Sequence, residues 1–384
     1  MSSLYELQAP TEWAAPPEVW SSSSLDEVGA CPRRWQLLRS RWGDYQRFPV
    51  RPHPAAIEGQ IVHDALDRLA RACGERGNPA FGTAAFSEAA GEADFFGGFS
   101  KAVADWQQRL ARHPRPGPPF RLRTTPQELA NRAVRLFREQ YRPGAGDGRT
   151  AASVGSGPVE LAGLLRARGA LSEVKLRHPT LAFLGVLDRV QLTGEGVEVV
   201  DFKSGKASEK HRTQLMRYAL LWWRVTGETP ARVTAQYLDG PQSWDVGEAA
   251  LIEAEGALTE AIAALTDHLT GRPASARPGP GCAWCPVRAR CDDGWALGEE
   301  NARSEGRGDA ELTVVGQPGP HGFLGRDRSG GEVAVVHEAA VAPLVPAVGV
   351  GQVVRVVDGV RKEKGKELEI RAWTEVYLAC SDPR

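Results

Sequence analysis

The sequence predicts an α/β protein with a small β-barrel at its C-terminal end, on three observations. Amphipathic helical patterns fill the stretch before residue 141, strand patterns take over from Val159, and helical ones return between Gln214 and residue 269. Within the strand region, two β-type runs at 185–192 and 197–202 flank a Gly-Glu-Gly turn, which signals a hairpin. Beyond an acidic and polar joint at 299–309, short β-type runs alternate with turn residues to the end. A chain of 384 residues accommodates one large domain and one smaller one. The expected division is 1–298 for the α/β domain, 299–309 for a linker and 310–384 for the barrel.

Taken in order, residues 1–20 read as an irregular arm. Serines at 21–24, followed by Leu25, Asp26 and Glu27, mark a helix start, and that helix is expected to carry Cys31 in ACPRRWQLLRSRW. Residues 55–71 (AAIEGQIVHDALDRLAR) form an amphipathic helix, with Ile57, Ile61, Val62, Ala65, Leu66 and Leu69 at helical spacing and His63 beside that face. The Gly- and Ala-rich segment 76–100 reads as loops with short helix. Further helices are expected at 101–112 and 126–140, and a flexible surface loop at 142–158. From Val159 the runs VELAGLLRARGA and LSEVKLRH read as strands, the second holding Glu173. A helix at 214–226, a strand at 231–240 and a helix at 247–269 follow, before a linker into CAWCPVRARC at 282–291. Five short strands, with a helix-like 338–344 between the third and fourth, fit an OB-fold; an SH3-like barrel or a sandwich also fits.

Composition excludes some classes. No run of about 18 apolar residues occurs, so no membrane span is expected. The opening MSSLYELQAPTEW lacks a basic flank and an apolar core, which argues against secretion and for a cytoplasmic protein. A net charge of −1 does not by itself suggest nucleic acid, though local Arg/Lys patches such as Arg33, Arg34, Arg39 and Arg41 stand out.

Two constellations carry chemistry. Asp188 sits on the first strand of the hairpin, and Asp201 ends the second, two residues before Lys203. Alternation by two puts Asp201 and Lys203 on one face, where two carboxylates and a lysine suit a hard divalent cation and a charged substrate. An ordinary surface ion pair, contributing about 0–1 kcal/mol, is the competing reading. The second constellation is C-x2-C-x5-C at Cys282, Cys285 and Cys291, three thiolates in a tight loop. Zinc with a fourth ligand such as Cys73 or a histidine fits it. A disulfide framework does not suit a chain of this size without a signal peptide.

The phrases EGQIVH (Gly59 and His63), GVLDR (Asp188), DFK (Asp201 and Lys203) and QLMRY (Gln214 and Tyr218), in that order, resemble the RecB-type nucleases of the PD-(D/E)XK superfamily, in their four-cysteine iron–sulfur branch. The resemblance spans 21–291 and implies a restriction-endonuclease-like mixed sheet flanked by helices. It implies His63 as a metal ligand beside Asp188 and Asp201, with the Phe202 backbone carbonyl as a further oxygen for Mg²⁺ or Mn²⁺. Lys203 would orient the attacking water and stabilise the transition state. Gln214 and Tyr218, four apart on one helix face, would position Lys203 or the DNA. Glu173 lies where the family often has an acid. The branch takes its fourth cysteine from a CP phrase far upstream, which Cys31-Pro32 fits, so a [4Fe–4S] cluster on Cys31, Cys282, Cys285 and Cys291 is expected, with zinc as the competing metal. Cys73 and Cys380 remain ordinary thiols.

The function expected from this resemblance is a metal-dependent deoxyribonuclease acting on single-stranded or end-exposed DNA in repair, recombination or defence, exonuclease ahead of endonuclease. A non-catalytic nucleic-acid-binding subunit that keeps the nuclease fold is the second reading. Phe323, Trp373, Tyr377 and the basic RKEKGK at 361–366 suit base stacking and phosphate tracking by the barrel, or equally barrel filling and loop solubility. No G-x-x-x-x-G-K-[ST] occurs, so no ATP site is expected and a helicase or repair partner would be a separate chain.

Overall fold

The computed structural model describes residues 3–77, 79–140, 158–203, 207–237, 240–298, 306–362 and 366–379. A 3-10 turn (Ser3–Tyr5) and a short strand β1 (Glu6–Leu7) replace part of the irregular arm. The helix expected through Cys31 is two helices, α1 (Ser22–Ala30) and α2 (Pro32–Arg39). A capping box starts the first: Ser21 accepts from Ser24 N, and Ser24 Oγ accepts from Ser21 N. Pro32 cannot continue it, because a proline has no N–H and disfavours helical torsions in the residue before it. Cys31 is therefore extended (φ −165, ψ 107) and caps α2 with its sulfur.

Helix α3 (Pro54–Glu75) buries Ile57, Ile61, Val62, Ala65 and Leu69 as its periodicity predicts. It packs with α4 (Ala84–Glu92), α5 (Gly98–Ala111) and α6 (Pro126–Gln140) around Phe95, Phe99, Leu129, Ala133 and Phe137. The 76–100 segment is thus more helical than expected. The run VELAGLLRARGA is also helical, as α7 (Pro158–Arg168), rather than a strand. Its Leu161 and Leu165 are four apart and both buried in the central core, and Leu, Ala and Arg are good helix formers. The loop expected at 142–158 lies, but for Pro158, outside the described residues.

The central sheet has the order β2 (Ala170–His178), β3 (Phe183–Thr193), β4 (Gly196–Lys203), β5 (Arg232–Tyr237), β6 (Gly240–Asp245). Only the β4–β5 pair is parallel, so the sheet is mixed. That pair needs a crossover, and α8 (Glu209–Thr226) supplies it, capped by Ser208 and ended by Gly227 at φ 77. Leu215, Ala219, Leu220 and Trp222 bury one side of α8 in the core, and α9 (Glu248–His268) packs behind it. The cysteine segment then leads into α10 (Asp292–Gly298).

The C-terminal unit holds β7 (Arg307–Gly319), β8 (Gly322–Arg326), β9 (Glu332–His337), a 3-10 turn (Ala339–Leu344), β10 (Val353–Lys362), β11 (Glu367–Ile370) and β12 (Glu375–Ala379). Five of these close a barrel in the order β7-β8-β9-β11-β10 and back to β7, which is compatible with an OB-like fold. A bulge between Val356 and Gly359, with Asp358 at φ 59, bends β10 so that its two halves pair with different partners. The last run of the sequence supplies two strands instead of one. The second of them, β12, pairs with β10 and, in parallel, with β1. Phe323, 2% exposed, fills the barrel interior, whereas Tyr377, 1% exposed, is buried on the outer side of the barrel with Ala289, Trp295 and Val357 and packs against Tyr5. Trp373 is half-buried under the Arg307 guanidinium. The tip residues 363–365 lie outside the described residues.

Buried ion pairs join barrel and cysteine segment. Arg288 donates to Asp309 at 2.6 and 3.1 Å and pairs with Asp358, while Arg355 reaches Ala289 O, Asp292 and Glu311. Among the described residues no helix is long and apolar enough to cross a membrane.

Candidate active site

The hairpin β3–β4 and the crossover helix α8 meet at a cleft of about 430 Å³ whose other wall is α3 and α6. Its lining includes Gly59 and His63 from α3, Asp188 from β3, Asp201, Phe202 and Lys203 from β4, and Gln214 and Tyr218 from α8. The structure therefore gathers every residue of the hairpin constellation and its upstream and downstream companions around one cavity, although the chain separates them widely.

On the sheet, Asp188 Oδ2 accepts from the Phe202 backbone N–H at 2.8 Å. Burial, then the neighbouring Asp201 and to a lesser degree Glu173, push the Asp188 carboxyl up to about 7. Asp201 is 4% exposed and is also raised by burial, which the Lys203 ammonium partly offsets. That ammonium also forms a salt bridge with Asp201 Oδ2 at 2.5 Å. Lys203 Nζ donates to Gln214 Oε1 at 2.8 Å, and Gln214 Nε2 donates to Tyr218 OH at 2.8 Å. The four-residue spacing on α8 makes this relay possible, because it stacks the two side chains on one face. Two neighbouring carboxylates, both pushed upward mainly by burial, suit a divalent cation.

His63 takes a second position in the same cleft. Its Nδ1 lies 3.5 Å from Asp67 Oδ2, one helical turn on. Among the described residues, His63, Asp67 and Glu173 form one set with ligand atoms within 4.8 Å of one another. Glu173 adopts φ 53 on β2, an uncommon backbone for a non-glycine residue.

Several lining residues escaped sequence reasoning. Asp67 could have been found from its four-residue spacing to His63. Arg132 on α6, and Gln236 and Tyr237 on β5, carry no local signal; the β4–β5 register alone sets Gln236 beside Phe202 and Tyr237 beside Lys203. His211 Nδ1 lies 2.8 Å from the Tyr237 hydroxyl behind Lys203. Gly185 matters by close approach: a Cβ there would come within 2.9 Å of the Tyr218 ring.

The cysteines converge elsewhere. Cys31, Cys282, Cys285 and Cys291 line one small cavity between the start of α2 and the segment after α9. Arg34 N donates to Cys31 Sγ at 3.5 Å, Gly279 N to Cys282 Sγ at 3.4 Å and Arg33 Nη1 to Cys291 Sγ at 3.8 Å. Burial pushes the Cys285 thiol up to about 11. Among the described residues no three of these sulfurs lie within 4.8 Å of one another. Cys73 is fully buried in the helical core, away from them.

One solved structure with some likeness, "Crystal structure of the tetrameric p202 HIN2", is 16% identical over 19% of this chain and 41% of that one, with a TM-score of 0.16. The overlap takes in about two-fifths of that protein and is too slight to bear on fold or function. No curated protein matches. A family model described as the PD-(D/E)XK nuclease superfamily matches residues 19–292. That span starts just before α1, ends on α10, and takes in the whole mixed sheet and the cleft with its charged groups, so the chain belongs to the PD-(D/E)XK nuclease superfamily, hydrolases that act on nucleic acids.

Proposed function

We propose that this protein is a RecB-type nuclease that hydrolyses DNA phosphodiester bonds with Mg²⁺ or Mn²⁺, on single-stranded or end-exposed DNA in repair, recombination or defence. Exonuclease action is the form favoured. The observation that carries this reading is the placement of Lys203, held between Asp201 and Gln214 at the floor of the cleft beside Asp188.

Asp188, Asp201 and the Phe202 carbonyl are assigned as ligands of the catalytic cation, with His63 as a further ligand supported by Asp67 and Glu173. When bound, the cation supplies Lewis-acid stabilisation of the phosphate and lowers the pKa of the attacking water. Lys203 orients that water and offsets charge as it develops on phosphorus-bound oxygens. Gln214, itself fixed by Tyr218, gives the ammonium a second anchor beside its salt bridge to Asp201.

The same reading assigns Cys31, Cys282, Cys285 and Cys291 to a [4Fe–4S] cluster. A single zinc ion with Zn–S bonds of about 2.3 Å would draw four tetrahedral sulfurs to about 3.8 Å of one another. A [4Fe–4S] cluster would instead take one thiolate on each iron. Bridging residues 31 and 282 clasps the two ends of a domain assigned to 1–298, with 310–384 as a separate OB-like barrel.

The test is cleavage of end-labelled single-stranded DNA in Mn²⁺ by wild type, Asp201→Ala and Lys203→Ala. Loss of cleavage in both variants is expected. Equal activity in all three sinks the reading, and DNA binding without cleavage in wild type favours a non-catalytic subunit.

A further inference from the structure

The helical wall of the cleft carries a cation that the described residues do not neutralise. Arg132, on α6, lines the cavity with Leu136 and Phe137 from its own helix and Val62, Leu66 and Ala70 from α3. Its Nε is sealed from solvent and finds no acceptor, and among the described residues no carboxylate lies within 4.0 Å of its guanidinium. Three arginines of this helical unit are tied down, Arg123 to Glu58, Arg68 to the Ala93 carbonyl and Arg76 to Glu92. A guanidinium offers five donors and no acceptor, and burying even one of them, here Nε–H, without an acceptor is costly.

The cleft's acids are engaged elsewhere: Asp188 and Asp201 belong to the opposite, sheet side with Lys203, and Asp67 and Glu173 cluster with His63. We propose that Arg132 is a substrate-binding residue of this cleft, its planar fork gripping a backbone phosphate from the helical wall while the carboxylate–lysine edge faces the scissile phosphate from the sheet. This rests on the nuclease reading and adds to it the group that holds the strand in place. The fork matches two phosphate oxygens at once. The aliphatic and aromatic neighbours exclude water and so strengthen the contact. They also offer an apolar surface to the sugar and base.

The experiment measures fluorescence anisotropy of a labelled oligothymidylate in EDTA, over a range of salt, together with steady-state cleavage in Mn²⁺. Arg132→Gln is expected to raise Kd about tenfold and to reduce the slope of log K against log salt by about 0.7, the share of one phosphate contact on a single strand. KM rises while kcat changes little. Arg132→Lys keeps the salt slope but recovers only part of the affinity, because a point charge replaces the fork. An Arg132→Gln variant with wild-type Kd and slope, beside a wild type that binds and cleaves, overturns the proposal and leaves the nuclease reading standing. A wild type that neither binds nor cleaves removes both. Should Arg132→Gln fail to fold, Arg132→Lys decides: wild-type affinity in it overturns the assignment.

Discussion

The Lys203 ammonium bridges two elements, donating to Gln214 Oε1 on α8 at 2.8 Å while lying 2.5 Å from Asp201 Oδ2 on its own strand. Without the helix-borne acceptor, the ammonium would keep only its salt bridge to Asp201 and lose the second anchor that fixes its position in the cleft. Gln214→Ala should therefore lower kcat by about 10- to 100-fold, the size of effect seen when a supporting group around a site is lost. Lys203→Ala, which removes the charge itself, should cost about 10²–10³. Single-turnover cleavage measures both. A Gln214→Ala variant as slow as Lys203→Ala would mean that Gln214 touches the substrate directly.

The half-buried Asp188, assigned above as a metal ligand, should make metal binding depend on pH. Its folded pKa, about 7, stands above the ordinary 3.8. An acid raised on folding destabilises the metal-free protein increasingly as pH climbs from the ordinary value to the folded one, and by the full amount above it. A cation binds the ionised form and reverses that cost. The rise in melting temperature caused by saturating Mn²⁺ should thus be small near about pH 5.5 and large near about pH 8. Asp188→Asn should melt above metal-free wild type at the higher pH and respond weakly to Mn²⁺. A metal-induced shift independent of pH would contradict this.

Gly185 holds open the space that the Tyr218 ring occupies. An added Cβ would stand 2.9 Å from Tyr218 Cε1 and 3.2 Å from Leu221 Cδ2, inside a packed core. Gly185→Ala should destabilise by about 1–3 kcal/mol and lower kcat along with it, because displacing Tyr218 loosens Gln214. Urea denaturation and cleavage rates together test the pairing. Loss of stability with unchanged kcat would detach Tyr218 from the relay.

The barrel is held partly by a bidentate pair, Arg115 Nε to Glu375 Oε1 at 2.6 Å and Nη2 to Oε2 at 2.8 Å, with Tyr377 OH donating to the same carboxylate. Both side chains are under a tenth exposed. Arg115→Ala should cost about 3–5 kcal/mol by stranding the Glu375 charge, and a double replacement by apolar residues of similar volume should recover most of it. The urea midpoint reports this. No recovery in the double variant would show that the pair specifies the docking rather than merely filling it.

What the sequence disclosed was what repeats or alternates. Period-two alternation gave the β3–β4 hairpin and put Asp201 and Lys203 on one side; helical period gave α3, α8 and α9. Local context misled where a short apolar run fits either period, as in α7, and where an edge strand is polar and contains a proline, as in β6 (GPQSWD). The split at Cys31 was readable from Pro32 alone. The helical wall of the cleft was not: Asp67 and Arg132 meet the sheet only through tertiary packing of α3 and α6. The pairing of β1 with β12 joins residues at opposite ends of the sequence, and no local pattern encodes that.

The last prediction concerns the thiols. Cys31 sits at a forced break between two helices, its sulfur accepting from Arg34 N, and faces a cavity shared with Cys282, Cys285 and Cys291. Gly294 lies so close that a Cβ there would be 3.4 and 3.5 Å from the Cys282 and Cys291 sulfurs, leaving the cavity without a side chain from that quarter. Anaerobically purified protein should be brown and carry about four irons with matching sulfide. Cys31→Ser and Cys282→Ser should each lose iron and lower the melting temperature, since a cluster held by these residues would close a loop on the order of 250 residues. Cys73→Ser, whose thiol is buried in the helical core, should keep its iron. Because Arg288 and the Ala289 carbonyl dock the barrel through the same segment, iron loss should also speed proteolysis between the two units. Colourless protein with one zinc per chain would replace the cluster by a single ion and require the four sulfurs to close in on one another.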